Sequence, residues 1–217
     1  MIKFEKVTKK FGEITALEEV SFAVAPGDFV FLTGPSGAGK STIIKLILHE
    51  YLPTSGTIQV DGINVEKMKS KEIMDLRRKV GVVFQDFKLL TDRTLLENVI
   101  LPLEVFGNNS KTIGDKVKEV LELVGLSDRG SLFPAQLAGG ELQRVCIARA
   151  MIGNPKILLA DEPTGNLDMG TAWQIIKTLK KINKLGTTVL MATHNVEIVK
   201  SLKERVIALD KGKYEPS

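Results

Sequence analysis

Residues 34–42 read Gly-Pro-Ser-Gly-Ala-Gly-Lys-Ser-Thr, which is a complete Gly-x-x-x-x-Gly-Lys-Ser phosphate loop. The apolar, β-prone segment 29–33 precedes this stretch, and apolar residues at helical spacing follow it from position 43 to position 48. A strand is therefore predicted to lead into a glycine-rich turn that opens a helix. A chance match in an ordinary turn is the alternative, and the strand–loop–helix context argues against it. We predict that this chain binds a nucleoside triphosphate.

Each residue type in the loop has a role in holding phosphate. Glycines let the backbone curl so that its N–H groups point at an anion, and the helix N-terminus adds the positive end of its dipole. Lys40 supplies a mobile positive charge for the β- and γ-phosphates, and the Ser41 hydroxyl is placed to ligate Mg²⁺. The predicted nucleotide-binding residues of this loop are Gly34, Pro35, Ser36, Gly37, Ala38, Gly39, Lys40, Ser41 and Thr42.

Polar side chains end three further predicted strands. Asp161 and Glu162 follow one apolar run, and Gln85 and His194 follow two others. We expect the strand that ends in Asp161 to lie next to the strand of the phosphate loop, with all four side chains at the ligand-binding edge of the sheet. The first carboxylate can hold Mg²⁺ through water, and the second can orient the attacking water or accept its proton. An acidic pair is also common at ordinary strand ends, so this interpretation depends on the phosphate loop.

A second anion site is predicted at Gly139 and Gly140. These glycines open a helix within the segment Leu137-Ala138-Gly139-Gly140-Glu141, and a helix N-terminus attracts anions. One chain has no second triphosphate for this site to bind. Each of these motifs occurs only once along the 217 residues, so we expect a single nucleotide-binding domain rather than a tandem pair.

Taken together, these motifs resemble those of the ATP-binding cassette (ABC) ATPases, in the order and near the spacing of that family. The resemblance covers essentially all of residues 1–217. It implies an α/β P-loop NTPase fold of ABC type, with a mostly parallel central sheet, an antiparallel β subdomain and a helical subdomain. Residues 1–85 and 151–217 would form the ATP-binding core with its β subdomain. Residues from about 86 to 150 would form the helical subdomain, including a loop through 107–110.

The resemblance also implies a role for each motif residue, with ATP and Mg²⁺ as the bound ligands. Its catalytic residues would be Glu162, His194, Gln85 and Lys40. Its metal-binding residues would be Ser41, Gln85 and Asp161. Two chains would meet head to tail as a homodimer when ATP binds. Segment 137–141 of each chain, called the signature segment below, would then close over the nucleotide of the other chain. The residues that reach across would be Leu137, Ala138, Gly139, Gly140, Glu141 and Asp168.

Ala138 departs from the family pattern, and Phe11 matches it by position. Ala138 stands where the family usually has a serine whose hydroxyl reaches the γ-phosphate across the dimer. Losing one such hydrogen bond costs about 0.5–1.5 kcal/mol, which favours a slow or partner-dependent ATPase. Phe11 lies where the family places an aromatic ring that stacks on adenine. From its pattern alone, an aromatic residue beside lysines is more often a half-buried strand residue, so the adenine contact is what the resemblance implies.

Composition and charge limit the other classes of protein to which this chain could belong. The chain is 43% hydrophobic with a net charge of +4 and a single cysteine, Cys146, so no disulfide framework is predicted. We expect a chain without a signal peptide or a run of about 20 apolar residues, which would reach a membrane only through a partner. The basic stretch 67–79 is interrupted by acidic and apolar residues and is typical of a solvated helix face. Nothing resembles a nucleic-acid-binding module, so no nucleic-acid partner is predicted.

Residues between the Gln85 strand and the signature segment should determine which partner the chain binds. Apolar residues there either pack inside the helical subdomain or line a groove that, by family resemblance, receives a helix from a membrane subunit; they are Leu95, Val99, Ile100, Leu101, Leu103, Val105 and Phe106. Segment 83–103 looks most like the cell-division members of the family, whereas segment 163–168 is shared with members that release lipoproteins or export macrolides. The resemblance implies an ATPase that drives an integral membrane partner regulating cell-wall hydrolysis, together with division-site proteins. An efflux or lipoprotein-release ATPase, or a soluble nucleotide-gated clamp, are the alternatives.

Overall fold

The chain folds around two β-sheets, and the computed structural model describes residues 1–107 and 113–215. The strands are β1 (Ile2–Phe11), β2 (Ile14–Val24), β3 (Phe29–Thr33), β4 (Ser55–Val60), β5 (Ile63–Asn64), β6 (Val80–Val83), β7 (Ile157–Asp161), β8 (Thr188–Ala192), β9 (Arg205–Asp210) and β10 (Lys213–Glu215). The helices are α1 (Lys40–Ile47), α2 (Ser70–Lys79), α3 (Leu95–Val105), α4 (Ile113–Val124), α5 (Gly139–Met151), α6 (Met169–Lys184) and α7 (Val196–Leu202). Of the predicted loop through 107–110, positions 108–110 lie outside the described residues.

The six-stranded sheet has the order β10-β9-β3-β8-β7-β6, and only β10 pairs antiparallel to its neighbour. The predicted mostly parallel sheet is therefore present. One expectation was wrong, because β7 is not next to β3. Strand β8 lies between them, so that Leu32 of β3 pairs with Ala192 and Ala192 pairs in turn with Asp161 of β7. Each parallel connection crosses the sheet through a helix, and the spacing of apolar residues does not reveal which neighbour the returning strand chooses.

Buried apolar residues fill both faces of this sheet. Along β7, Ile157 and Leu159 belong to one core cluster, whereas Leu158 and Ala160 belong to the other. Successive side chains of a strand point to opposite faces, so a run of four apolar residues is what a sheet covered on both faces requires. The first cluster packs the sheet against α1 and the antiparallel strands, and the second packs it against α3 to α6.

The second sheet is antiparallel, with the order β2-β1-β4-β5. Strands β1 and β2 form a long hairpin with register shifts between Phe4 and Lys10, and its tip carries Phe11 and Ile14 at the surface. Phe4 and Phe22 stack face to face inside the sheet's buried side, with ring centroids 4.5 Å apart. This sheet is the predicted antiparallel β layer, and it places the hairpin tip beside α1.

Helices α3, α4 and α5 pack on one another through the second core cluster. In α3 the side chains of Leu95, Val99 and Leu103 are buried, whereas Leu96 and Val105 are 40% and 66% exposed. One stripe of this apolar stretch therefore belongs to the core, and the groove for a membrane subunit stays a prediction. Within the described residues, no helix is both long enough and apolar enough to cross a membrane.

Candidate nucleotide site

The phosphate loop connects Thr33 at the end of β3 to Lys40 at the start of α1. Gly39 precedes the helix in the left-handed region, with φ 105°. A side chain cannot replace its hydrogen, because a Cβ at this position would lie 2.6 Å from Leu17 Cδ2 and 2.8 Å from the Ala16 carbonyl oxygen. The glycine therefore lets the β1–β2 hairpin approach the loop.

A cavity of about 540 Å³ opens over this loop. Ten of the residues that the sequence predicted for the nucleotide site line this cavity: Pro35, Ser36, Gly37, Gly39, Lys40, Ser41, Thr42, Gln85, Glu162 and His194. The fold thus brings Gln85, Glu162 and His194 to the loop from three separate strand ends. Ala16 also lines the cavity, and the sequence did not predict this contact because no motif marks a small residue in a hairpin. Gly34 and the buried Ala38, which were also predicted to bind the nucleotide, do not line this cavity.

Glu162 lies between two positively charged or titratable groups. Its Oε1 is 3.5 Å from the Lys40 ammonium, and its Oε2 is 3.0 Å from His194 Nδ1. Lys40 also donates hydrogen bonds to the carbonyl oxygens of Gly34 and Pro35, at 2.8 and 3.1 Å. Glu162 has a φ of 49°, a left-handed conformation that is uncommon for a residue with a side chain and is found at functional sites. The carboxylate is therefore held at the cavity, beside the loop that binds phosphate.

Asp161 has a shifted pKa. Burial raises the pKa of its carboxyl, against the lowering effect of a hydrogen bond from the Ser41 hydroxyl. Its Oδ1 is buried and has no hydrogen-bond partner among residues 1–107 and 113–215. An orphaned carboxylate oxygen beside a hydroxyl is what a hard cation such as Mg²⁺ would satisfy, so the donor set fits this metal. Among the described residues no three His, Cys, Asp or Glu side chains converge, and Mg²⁺ is commonly held by one or two carboxylates together with water and substrate phosphates.

Phe11 does not line the cavity over the phosphate loop. The residue is 39% exposed, its ring packs edge to face against Tyr51 with centroids 5.0 Å apart, and the Lys9 ammonium lies 4.8 Å from the ring centre. Part of this ring is therefore accessible at the hairpin tip. Its role as an adenine platform stays a prediction.

The signature residues are elsewhere in the chain. Leu137, Ala138, Gly139, Gly140, Glu141 and Asp168 do not line the cavity over the phosphate loop. Ala138 precedes the first turn of α5 and has no side-chain oxygen to cap it, whereas the Glu141 carboxylate accepts a hydrogen bond from the Ala138 N–H at 3.1 Å. Gly140 packs so closely on α6 that a Cβ there would lie 2.2 Å from Thr171 Cγ2. Within one chain, the two predicted anion-binding elements are therefore separate.

Asp168 starts α6 and supports that contact. Its carboxylate accepts a hydrogen bond from the Thr171 N–H at 3.0 Å, and hydrogen bonds from Thr171 hold its pKa below the ordinary value. Thr171 thus touches Gly140 with its methyl group and Asp168 with its polar atoms. Thr171 therefore contacts both of the elements that are predicted to reach a partner chain, which are the start of α5 and the residue before α6.

The family model for ABC transporters matches residues 17–165, and the chain belongs to this family. It is an ABC ATPase. It is 52% identical over 213 residues to the cell division ATP-binding protein FtsE of Bacillus subtilis (strain 168), and the match covers 98% of this chain and 93% of that protein. It is 45% identical over 213 residues to FtsE of Escherichia coli (strain K12), covering 98% and 96%.

Solved ABC cassettes share the fold. An ATP-binding cassette solved as a dimer in a post-hydrolysis state, bound to ADP and Pi, superimposes with a TM-score of 0.88 at 40% identity and covers 100% of this chain and 97% of that one. A nucleotide-free cassette gives 0.86 at 26% identity, with coverage of 100% and 90%. The predicted ABC-type fold and ATPase activity are confirmed.

Proposed function

We propose that this chain hydrolyses ATP with Glu162 as the residue that orients and deprotonates the attacking water. The observation that carries the proposal is the largely buried carboxylate held between Lys40 and His194 at the mouth of the phosphate loop. When ATP enters, Lys40 exchanges its contacts with Glu162 and the loop carbonyls for the β- and γ-phosphates. His194 then contacts the γ-phosphate, and Gln85 contacts the attacking water or the metal.

We propose Mg²⁺ as the required metal, held by Ser41, by Asp161 through water, and by Gln85. The metal would neutralise charge that develops on the β- and γ-phosphates. The chain's own contribution is to keep the Asp161 carboxylate beside Ser41 in a largely buried position, where the orphaned oxygen is available. Burial also makes that carboxylate easier to protonate, so metal binding is expected to weaken as the pH falls.

We propose that two chains form the active unit, with the signature segment of each over the nucleotide of the other. The separation in the fold between the signature residues and the cavity supports this arrangement, as does the dimeric state of the related ADP-bound cassette. Backbone N–H groups of Gly139 and Gly140 would supply anion contacts, together with the dipole of α5. Asp168 would lie at the crossing between the two sites.

We further propose a cell-division role, as an ATPase that drives an integral membrane subunit of the FtsX type at the cytoplasmic face of the membrane. The names of the FtsE relatives and the likeness in segment 83–103 support this role. Closure and opening of the dimer would act as a mechanical signal to that subunit, which regulates cell-wall hydrolysis together with division-site proteins. The proposed working parts are the core at 1–85 and 151–217 and the helical subdomain at about 86–150.

A groove of about 340 Å³ is the proposed docking surface for the membrane subunit. Its walls combine rings and cations, because the Arg78 guanidinium lies 5.2 Å from the centre of the Phe106 ring and the Lys88 ammonium lies 3.8 Å from that of Phe84. The other lining residues include Arg77, Leu101, Pro102 and Arg149. A helix that offers apolar side chains and a carboxylate would complement such a surface.

The test is co-purification from detergent-solubilised membranes with a Glu162→Gln chain, which should hold the closed ATP state. We expect an integral membrane protein with a large extracytoplasmic domain, together with division proteins, identified by mass spectrometry. Recovery of efflux or lipoprotein-release components would instead assign the chain to transport. Recovery of no membrane protein would favour a soluble clamp. An Arg78→Glu chain should lose the membrane protein while it retains ATP binding.

A further inference from the structure

The segment after Gln85 has a strained backbone. Phe87 and Lys88 have φ values of 57° and 50°, so two consecutive residues with side chains are in the left-handed region. Such residues occur singly in most proteins, because the Cβ crowds the following carbonyl. Two in succession persist only where surrounding contacts determine the conformation.

Those contacts come from one helix, α5. The Arg149 guanidinium donates from Nη1 to the Lys88 carbonyl oxygen at 2.5 Å and from Nη2 to the Phe87 carbonyl oxygen at 2.6 Å. The Cys146 thiol donates to the same Phe87 oxygen, with a sulfur–oxygen distance of 3.2 Å. Burial raises the pKa of this thiol to about 12, so it keeps its proton. A planar guanidinium offers its N–H donors on separate nitrogens in a fixed fork, whereas a lysine ammonium must serve both carbonyl groups from one nitrogen on a flexible chain.

The same helix begins at the signature. Gly139 and Gly140 form its first turn and Arg149 lies in its last, about 15 Å away along the axis. Gln85 is two residues before Phe87, and its amide lies close to the next loop, since a Cβ on Gly165 would be 3.1 Å from Gln85 Nε2. One rigid helix therefore joins the surface that meets the second chain to the loop that carries Gln85.

We propose that Arg149 is a positioning residue that fastens the Gln85 loop to the signature helix. Movement of α5 on dimer closure then carries Gln85 with it, and the alignment of the reacting water depends on this bond. Arg149 and Lys88 also line the proposed docking groove, so a membrane subunit seated there touches the same junction. The inference rests on the proposed function only in giving Gln85 a role in hydrolysis.

The test uses the full-length chain with ATP and Mg²⁺. Arg149→Lys keeps the positive charge but loses the pair of guanidinium N–H donors that bind the Phe87 and Lys88 carbonyl groups. The exposed Arg129→Lys is the matched control. We expect Arg149→Lys to lower kcat about tenfold with a change in KM of less than about twofold. Hydrogen exchange in segment 84–93 should become faster in Arg149→Lys and stay unchanged in Arg129→Lys. If Arg149→Lys fails to fold, Cys146→Ala, which removes the thiol bond to Phe87 together with the packing of one buried sulfur atom, serves in its place with a smaller effect in the same direction.

A double-mutant cycle separates positioning from general support of the fold. If Arg149 acts through Gln85, then Arg149→Lys has no further effect on kcat in a Gln85→Ala chain. Independent, multiplying effects, or unchanged exchange in segment 84–93, would overturn the inference and leave the proposed function intact. Full turnover by Gln85→Ala alone would overturn the role proposed for Gln85, and the catalytic part of this inference with it.

Discussion

The two halves of the proposed ATP site are built differently. Around the phosphate loop, Glu162 already contacts both Lys40 and His194 inside a cavity. At the signature, Gly139 and Gly140 lie in the first turn of a helix, and their close contacts are with Leu167 and Thr171, at and just before the start of α6, rather than with any charged group. The first half is organised by charges within the chain, whereas the second, in the proposed dimer, would act on the nucleotide of the other chain.

Substitutions in the two halves should therefore act in different ways. A change at the first half should alter chemistry while the fold and dimer persist. A change at the second half should alter association first and chemistry only as a consequence. A residue far from both halves should affect stability alone.

Removal of the Glu162 charge should have the largest effect. We expect Glu162→Gln to reduce kcat by at least about 100-fold, since a positioned general base contributes at about that level or more. ATP affinity should be unchanged or higher, because Lys40 no longer has a competing ion pair. The measurements are steady-state ATPase rates and titration with a fluorescent ATP analogue. The exposed Glu197→Gln is the control, and near-normal turnover in Glu162→Gln would show that another group activates the water.

Gly140→Ala should damage the second half through packing. The added Cβ would lie 2.2 Å from Thr171 Cγ2, and such overpacking costs about 1–3 kcal/mol of unfolding free energy, measured in urea. ATP-driven dimerisation should be lost as well.

Thr171→Ser supplies the matched compensation, because it deletes the clashing methyl group and keeps the hydroxyl beside Asp168. The double variant should recover stability. If it also recovers full dimerisation, then Gly140 is required only for packing on α6 and not for contact with the second chain's nucleotide.

Ala138→Ser tests the departure from the family's usual signature. A serine at this N-cap position can accept a hydrogen bond from the first turn of α5, worth about 0.5–2 kcal/mol of stability. It also restores a hydroxyl for the γ-phosphate, so ATP-driven dimerisation should strengthen up to about tenfold. Analytical ultracentrifugation of the Glu162→Gln background, with and without ATP, measures this change. Unchanged dimerisation and turnover would refute the idea that Ala138 makes this ATPase slow.

The smallest effect is expected far from both halves, at Asp61. Hydrogen bonds from Lys79 and then Lys156, at 3.0 and 3.3 Å, hold the pKa of this carboxyl below its ordinary value. The resulting stability is present above the unfolded pKa near 3.8 and is lost as the pH falls through the lower folded value. Since the lysines are half exposed, Asp61→Asn should cost only about 0.5 kcal/mol near pH 7. Urea unfolding at pH 7 and at pH 2.5 should show the difference closing in acid, and a constant difference would assign it to packing.

The local sequence pattern was sufficient to predict most residues of the nucleotide site. The residues at strand ends and in the loop could be found because their chemistry needs particular side chains at particular spacings, and Lys40, Glu162, His194 and Gln85 do line one cavity. The position of β8 between β3 and β7 could not be found in this way. Strand order depends on how each crossover helix packs, and every strand of a sheet that is buried on both faces has the same apolar pattern.

The remaining omissions have a similar cause. Ala16 lines the cavity only because the β1–β2 hairpin approaches Gly39, and small apolar residues carry no chemical signal. Arg149 was part of an ordinary helix pattern, and its two bonds to Phe87 and Lys88 join residues about sixty positions apart. Neither contact has a local signature, because each depends on where separate elements meet.

The amino-acid sequence was enough to identify an ATPase of the ABC family and the groups that can do its chemistry, because phosphate, metal and water each demand specific atoms at short spacing along the chain. The arrangement of those groups came only from the folded chain. Folding placed Glu162 between Lys40 and His194, buried one oxygen of Asp161 with no partner in the described part of the chain, and kept Gly140 away from the cavity against Thr171 of α6. Distances between side chains from different strands depend on the packing of the whole core, and no single stretch of sequence contains that information.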